Sequence, residues 1–246
     1  MASSLGWQVG TVTEIRQETA RAKTFSFRLP NWTAHKAGMH YDLRLTAPDG
    51  YQAERSYSVA SEPERQGVVE LTIELIEDGE VSPYMHEVVQ KGDRLELRGP
   101  IGGYFVWDVA FDGPVLLVGG GSGVVPLRAM VRHRVAAGSK IPFGLLYSAR
   151  SAGDVIYASE LTKTDARADG FRLVLTYTRQ APTGWTGYKR RVDREMLKEV
   201  LGSLGTGPRA YVCGPTLLVE SVANNLLDLG VPTDRVRVER FGPTGT

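Results

Sequence analysis

The residues Gly119-Gly120-Gly121-Ser122-Gly123 follow the apolar run Val115-Leu116-Leu117-Val118 and lead into Val124-Val125-Pro126. Glycines permit positive φ and close backbone approach, and a helix starting directly after them offers free N–H groups and the positive end of its dipole. That chemistry suits a pyrophosphate; the same residues also make a bare strand-to-helix turn with no ligand. A Walker A loop needs Gly-Lys-Ser or Gly-Lys-Thr, and the sequence contains neither. The nucleophile elbow Gly-x-Ser-x-Gly fails as well, because Gly120-Gly121-Ser122-Gly123-Val124 lacks the last glycine, so Ser122 is not read as a nucleophile. The spacing Gly-x-Gly-x-x-Gly fits poorly, since no glycine follows Gly123 in the next segment. The single cysteine, Cys213, makes no internal disulfide and cannot hold an iron–sulfur cluster alone. The histidines His35, His40, His86 and His133 lack ligand spacing, so no metal is expected.

A turn of this kind needs a strand before it and a helix after it. Residues 7–99 alternate apolar and polar positions, as in Lys23-Thr24-Phe25-Ser26-Phe27-Arg28-Leu29. Turn signals at Pro30-Asn31, Pro48-Asp49-Gly50, Glu62-Pro63 and Lys91-Gly92-Asp93 divide this stretch into about six antiparallel strands that close into a small barrel, with one helix over residues 82–90. After Asp112-Gly113-Pro114 the texture changes to buried strands alternating with helices near residues 124–137, 158–166, 194–201 and 217–229. Strand–helix–strand order gives a doubly wound α/β domain with about five parallel strands. The expected domains are residues 1–110 and 111–246. Ligands of such sheets bind outside the carboxyl ends of the strands, here the loops at residues 119–125, 148–150, 178–185 and 213–215.

Composition narrows the function. With 246 residues, 42% of them hydrophobic, the chain has material for two globular domains. Lys and Arg total 29 against 28 Asp and Glu, and a net charge of +1 supplies no general field for nucleic acid or an anionic membrane. The amino terminus lacks the basic patch and apolar run of a secretory signal, and residues 115–118 fall far short of the roughly 20 apolar residues that span a bilayer. A cytoplasmic protein without membrane insertion is expected.

Four segments carry a resemblance. Arg55-Ser56-Tyr57-Ser58 looks like an Arg-x-Tyr-Ser signature, and Gly79-Glu80-Val81-Ser82 looks like a second phosphate-binding element. Residues 119–126 and Tyr211-Val212-Cys213-Gly214-Pro215 look like pyridine-nucleotide motifs. In this order they resemble the ferredoxin–NADP reductase family, in which a flavin-binding barrel precedes a nicotinamide-binding domain. Arg55 offers a planar charged fork for a flavin phosphate, and Tyr57 lies two residues along the same strand, on the same face, to stack on the isoalloxazine. Ser58 can bond near the flavin N5 edge. Ser82 can cap the helix that starts beside Pro83, with Gly79 and Val81 completing the phosphate contact. Taken singly, these residues read equally as a strand arginine, a core tyrosine and an ordinary cap. Gly99-Pro100-Ile101-Gly102-Gly103 resembles the link that closes the family's barrel, and its glycines are read as structural.

The resemblance implies hydride transfer between nicotinamide and flavin, with Gly120, Gly121, Ser122 and Gly123 holding the pyrophosphate. It places Cys213, Gly214 and Pro215 near the nicotinamide, and Glu239 and Phe241 near the flavin from the last strand. Ser58, Cys213 and Glu239 are thus the catalytic candidates, although a buried core thiol and a surface salt-bridge glutamate are the plain alternatives. After the second parallel strand, Ser148-Ala149-Arg150 has no acidic residue for a ribose 2′-hydroxyl. Arg150, with Arg179 and the run Lys189-Arg190-Arg191, favours NADPH over NADH, while Asp154 argues the other way. FAD is preferred to FMN on Gly79 to Ser82. The expected acceptor is a separate electron-transfer protein: a ferredoxin, an iron–sulfur or haem protein, or a molybdenum enzyme component. A monomer is expected. The alternative function is a flavin- or nucleotide-binding regulatory subunit without turnover.

Overall fold

The computed structural model describes residues 5–242. The first six strands are β1 (Gln8–Thr19), β2 (Ala22–Arg28), β3 (His40–Thr46), β4 (Gln52–Ser58), β5 (Val68–Glu74) and β6 (Arg94–Ile101), with helix α1 (Ser82–Glu87) before β6. They form one antiparallel sheet in the order β4-β3-β6-β1-β2-β5. Its two edges meet at the bridge Val59–Leu71, supported by the Ala60 N–H donating to the Glu70 carbonyl oxygen at 2.8 Å, which makes the sheet a barrel. Phe25, Phe27, Leu43, Leu71, Ile73, Leu97 and Met85 fill its interior. Helix α1 ends earlier than the sequence pattern predicts. The N–H groups of Val88 and Val89 both turn to the Tyr84 carbonyl, so the last turn unwinds.

The second set is β7 (Val115–Gly120), α2 (Val124–Ala136), β8 (Phe143–Ser151), α3 (Ala158–Asp165), β9 (Phe171–Gln180), α4 (Arg194–Leu204), β10 (Arg209–Pro215), α5 (Thr216–Asp228) and β11 (Val236–Phe241). All five strands are parallel, in the order β11-β10-β7-β8-β9. The chain winds outward from β7 to β9, then returns to β10 and β11 on the other side. The boundary between β7 and β10 is therefore the topological switch point, where crevices form at strand carboxyl ends. Leu116, Val118, Leu146, Val212, Met196, Val200 and Val222 pack one face of the sheet.

One compact unit runs to Asp108 and takes in Arg128–His133; the other is Val109–Leu127 with the chain from Arg134 onward. Within the first unit, the polar half of the strand alternation is not all solvated: Thr24, Ser26, Glu70 and Thr72 are buried. Thr24 and Thr72 share a 2.8 Å hydrogen bond, and Glu70 is met by Arg128 at 3.0 Å and Arg132 at 3.2 Å. Among the described residues, no helix is long and apolar enough to cross a membrane.

Candidate active site

In the barrel unit, β4 presents Arg55 and Tyr57 on one face, because directly opposed residues of an antiparallel pair share a side and these two oppose Leu43 and Tyr41. Ser56 and Ser58 oppose Asp42 and His40 and so lie on the other face. Tyr57 packs its ring against the barrel core, and burial pushes its hydroxyl up to about 12, which keeps it neutral. Ser56 donates to Asp42 at 2.6 Å and Arg98 reaches the same carboxylate at 2.8 Å; although burial raises the Asp42 pKa, these bonds hold it below the usual range.

The segment Gly79 to Ser82 lies beside Arg55, whose Nη2 is 2.7 Å from Glu80 Oε2. Val81 is a core residue, and Gly79 donates its N–H to the Ile76 carbonyl at 2.9 Å. The Ser82 hydroxyl accepts from the Ile76 N–H at 3.0 Å and donates back to the Ile76 carbonyl at 3.2 Å. The predicted Ser82 cap is therefore corrected: Ser82 is already inside α1, Val81 is the N-cap, and no side chain caps the helix. The turn at residues 76–79 brings the Ile76 N–H and carbonyl to Ser82 first, while the proline in the first turn of α1 leaves fewer N–H groups to cap.

In the second unit, Gly119 and Gly120 still belong to β7, and the turn itself is a short 3-10 segment, Gly121–Gly123. Gly121 has φ 56°, a conformation that favours glycine. A Cβ on Gly123 would sit 2.1 Å from the Cys213 carbonyl oxygen and 2.8 Å from Gly214 Cα. One on Gly214, whose φ is 154°, would lie 3.2 Å from the Gly120 backbone. The turn and the end of β10 are thus fitted backbone to backbone at the switch point, with Cys213 registered opposite Gly119 and Glu239. The Tyr147 hydroxyl pins the arrangement, donating to the Gly121 carbonyl at 3.1 Å and accepting from the Ile156 N–H at 3.2 Å.

Cys213 is buried and its Sγ lies 3.9 Å from Glu239 Oε2. Burial pushes the Glu239 carboxyl up to about 7, although the thiol bond opposes this. Burial, and then the Glu239 charge, pushes the Cys213 thiol well above its usual value. The pair can hold a proton near neutrality at the carboxyl end of β10. Phe241 is half-buried and registered beside Pro215.

The strands run further than the sequence predicts, and the expected loops at residues 148–150 and 213–215, with the start of the one at 178–185, are strand instead. Pairing continues through Ala149–Tyr177, Ser151–Gln180 and Pro215–Phe241, so the ladder holds these residues extended. Ser148 is buried in the ladder between Gly120 and Thr176. Arg150 and Arg179 are exposed and both fall within the register shift between β8 and β9. Asp154 accepts from the Ser151 hydroxyl at 2.5 Å, and Arg190 is paired with Asp193. Sequence reasoning missed Tyr147, an apolar-run tyrosine whose hydroxyl needs partners when buried. It also missed the Glu80 carboxylate, an acidic side chain inside a segment expected to bind phosphate.

The family model described as an oxidoreductase FAD-binding domain matches residues 9–106, and the one described as an oxidoreductase NAD-binding domain matches residues 117–224. The chain is 33% identical over 234 residues to ferredoxin–NADP reductase B of Sorangium cellulosum (strain So ce56), covering 94% of this chain and 91% of that protein. It is 31% identical over 234 residues to the glycine betaine monooxygenase reductase subunit of Pseudomonas aeruginosa (strain UCBPP-PA14); the match covers 94% of this chain and 63% of that relative. A crystal structure of a ferredoxin NADP+ reductase from Neisseria gonorrhoeae with bound FAD and NADP shares the fold, with a TM-score of 0.82 at 22% identity over 95% of this chain and 98% of that one.

The residues present fit both groups. Gly123 and Gly214 pack backbone to backbone at the switch point, which leaves the glycine-rich turn Gly121–Gly123 ahead of α2, as a dinucleotide pyrophosphate requires, and β4 aligns an exposed guanidinium with a half-buried ring, as a flavin phosphate and isoalloxazine require. The chain belongs to the ferredoxin–NADP reductase-like family of flavin-dependent NAD(P)H oxidoreductases, with FAD and a nicotinamide nucleotide as its cofactors.

Proposed function

We propose that this protein takes reducing equivalents from NADPH in preference to NADH and delivers electrons to a separate protein, an iron–sulfur or oxygenase component. The observation that carries the reading is the fit of Gly123 against the Cys213 carbonyl at the switch point of a parallel sheet. FAD, held by residues of the barrel, would supply the redox chemistry as a hydride acceptor and electron donor.

In this reading, Gly120, Gly121, Ser122 and Gly123 seat the pyrophosphate on backbone N–H groups, and Gly214 with Pro215 admits the nicotinamide ribose. Arg150 and Arg179, exposed where β8 and β9 change register, take the 2′-phosphate, with Ser148 lining the approach. Asp154, bonded to Ser151, is engaged locally rather than reserved for a ribose hydroxyl. Arg55 and the Gly79–Ser82 segment would hold the flavin phosphates, Tyr57 would stack on the ring, and Ser58, on the other face but the last residue of β4, would reach the ring's edge from the strand end. The Cys213–Glu239 pair holds a proton at the carboxyl end of β10, beside the nicotinamide, with Phe241 registered next to Pro215. Residues 1–110 and 111–246 divide the two cofactors between them. The protein acts as a monomer in the cytoplasm. The partner class follows relatives such as the glycine betaine monooxygenase reductase subunit, named for serving a distinct oxygenase.

The test is the visible spectrum of the purified protein, followed by anaerobic addition of NADPH and, separately, NADH. A flavin spectrum that bleaches faster with NADPH supports the reading. A flavin that neither nucleotide reduces points to the regulatory alternative, and equal rates remove the NADPH preference. Arg150→Ala is expected to raise the KM for NADPH much more than that for NADH; equal effects would remove Arg150 from the 2′-phosphate.

A further inference from the structure

Arg55 does not stand as a lone cation. Its Nη1 donates to the Glu54 carbonyl at 2.7 Å, and its Nη2 donates to Glu80 Oε2 at 2.7 Å. The second carboxylate oxygen, Glu80 Oε1, accepts from the Tyr51 hydroxyl at 2.6 Å. Tyr51 precedes β4, Arg55 lies within it, and Glu80 precedes α1, so separate segments fix one negative charge at the fork that reads as the phosphate site. The bonds from Tyr51 and Arg55 hold the Glu80 carboxyl below its usual range, which keeps it charged at neutral pH. Both side chains remain about half exposed, at 49% for Arg55 and 48% for Glu80.

We propose that Glu80 is a specificity-determining residue that favours FAD over FMN through its charge at the Arg55 fork. This rests on the assignment of Arg55 to the flavin phosphate made above. FMN ends in a phosphate monoester carrying about 1.5 to 2 negative charges near neutrality. In FAD the same phosphorus is part of a pyrophosphate diester with a single charge. Beside Arg55 alone, the more highly charged group gains more; beside Arg55 neutralised by Glu80, that advantage is lost and the carboxylate repels the dianion more strongly. The site is open to water and salt, which limits the discrimination to roughly fivefold.

The experiment equilibrates the purified holoprotein with mixtures of FAD and FMN at low and at high salt, then releases the bound flavin and measures its composition by chromatography. Glu80→Gln and Glu80→Ala are both expected to lower the FAD-to-FMN preference by about fivefold, and by less at high salt. An unchanged preference in both variants overturns the proposal, as does an increase. Loss of both flavins alike from Glu80→Gln also overturns it, because Glu80 would then only position Arg55. Arg55→Ala separates the two levels: if it retains flavin as the unaltered protein does, the phosphate assignment itself falls. If Arg55→Ala loses flavin while Glu80 substitution leaves the preference unchanged, only the specificity role falls.

Discussion

At the scale of single residues, the most informative pair is Cys213 with Glu239. The Glu239 charge raises the cost of the Cys213 thiolate, whereas the bond from the thiol eases the Glu239 charge, and burial is the larger cause of the upward shift in both. Because the Glu239 carboxyl is raised to about 7 in the folded chain, against 4.5 for an ordinary glutamate, the neutral form is the one the fold favours. The sign is fixed by linkage: this group's contribution to stability is fully present below about pH 4.5 and is lost as the pH rises through about 7. The thiolate, the reactive form, is suppressed in turn. Alkylation of Cys213 at mildly alkaline pH is expected to be more than tenfold slower than that of a free thiol, and Glu239→Gln is expected to accelerate it. Mass spectrometry of a labelling time course measures both; equal rates in the two proteins would separate the thiol from the carboxylate.

Elements matter here because they set backbone against backbone. Gly123→Ala would place a methyl 2.1 Å from a carbonyl oxygen in the β10 ladder, and neither partner is a flexible side chain. The turn or the strand end must then move, which costs several kcal/mol by the usual scale of overpacking and backbone strain. The variant is expected to keep its flavin, which depends on the barrel, while NADP+ affinity measured by difference titration falls at least tenfold. Unchanged affinity would remove the turn from the nucleotide site. Tyr147 acts at the same scale. A peptide unit is planar and trans, so holding the Gly121 carbonyl also fixes the opposite direction of the Ser122 N–H. Tyr147→Phe removes one hydroxyl worth about 1 kcal/mol. It is expected to raise the KM for NADPH several-fold with kcat nearly unchanged; an unchanged KM would reduce Tyr147 to a packing residue.

For the whole molecule, the strongest electrostatic commitment is Glu70 with Arg128. Both side chains are 1% exposed and they stand 3.0 Å apart, with Arg132, Arg65 and Arg16 around the same carboxylate. Burial pushes the Glu70 pKa up, but the four arginines outweigh it and hold it below the usual glutamate value. Its stabilising contribution is therefore present above about pH 4.5 and is lost as the pH falls through the lower folded value. Glu70→Gln removes the buried negative charge that Arg128 and Arg132 share, a loss of about 3–5 kcal/mol. Thermal melts at neutral pH are expected to show Tm lowered by roughly 5–15 °C, with the difference shrinking in acid. A variant as stable as the unaltered protein at neutral pH would show that the arginines are satisfied without this carboxylate.

The switch from period-two strands to strand–helix alternation near residue 110 was visible in the sequence because hydrophobic periodicity is local, and so were the glycine turn and the Arg55-x-Tyr57 pairing on one strand face. Those features follow from residue type and spacing alone. What only the tertiary structure decided depends on neighbours far away in the chain. The strands run through Arg150, Arg179 and Cys213 because partner strands continue the ladder, and Gly123 admits no side chain because β10 lies against it. Glu80 meets Arg55 and Tyr51 for the same reason: folding brings this carboxylate to a guanidinium 25 residues away and a phenol 29 residues away, and local spacing does not encode such a meeting.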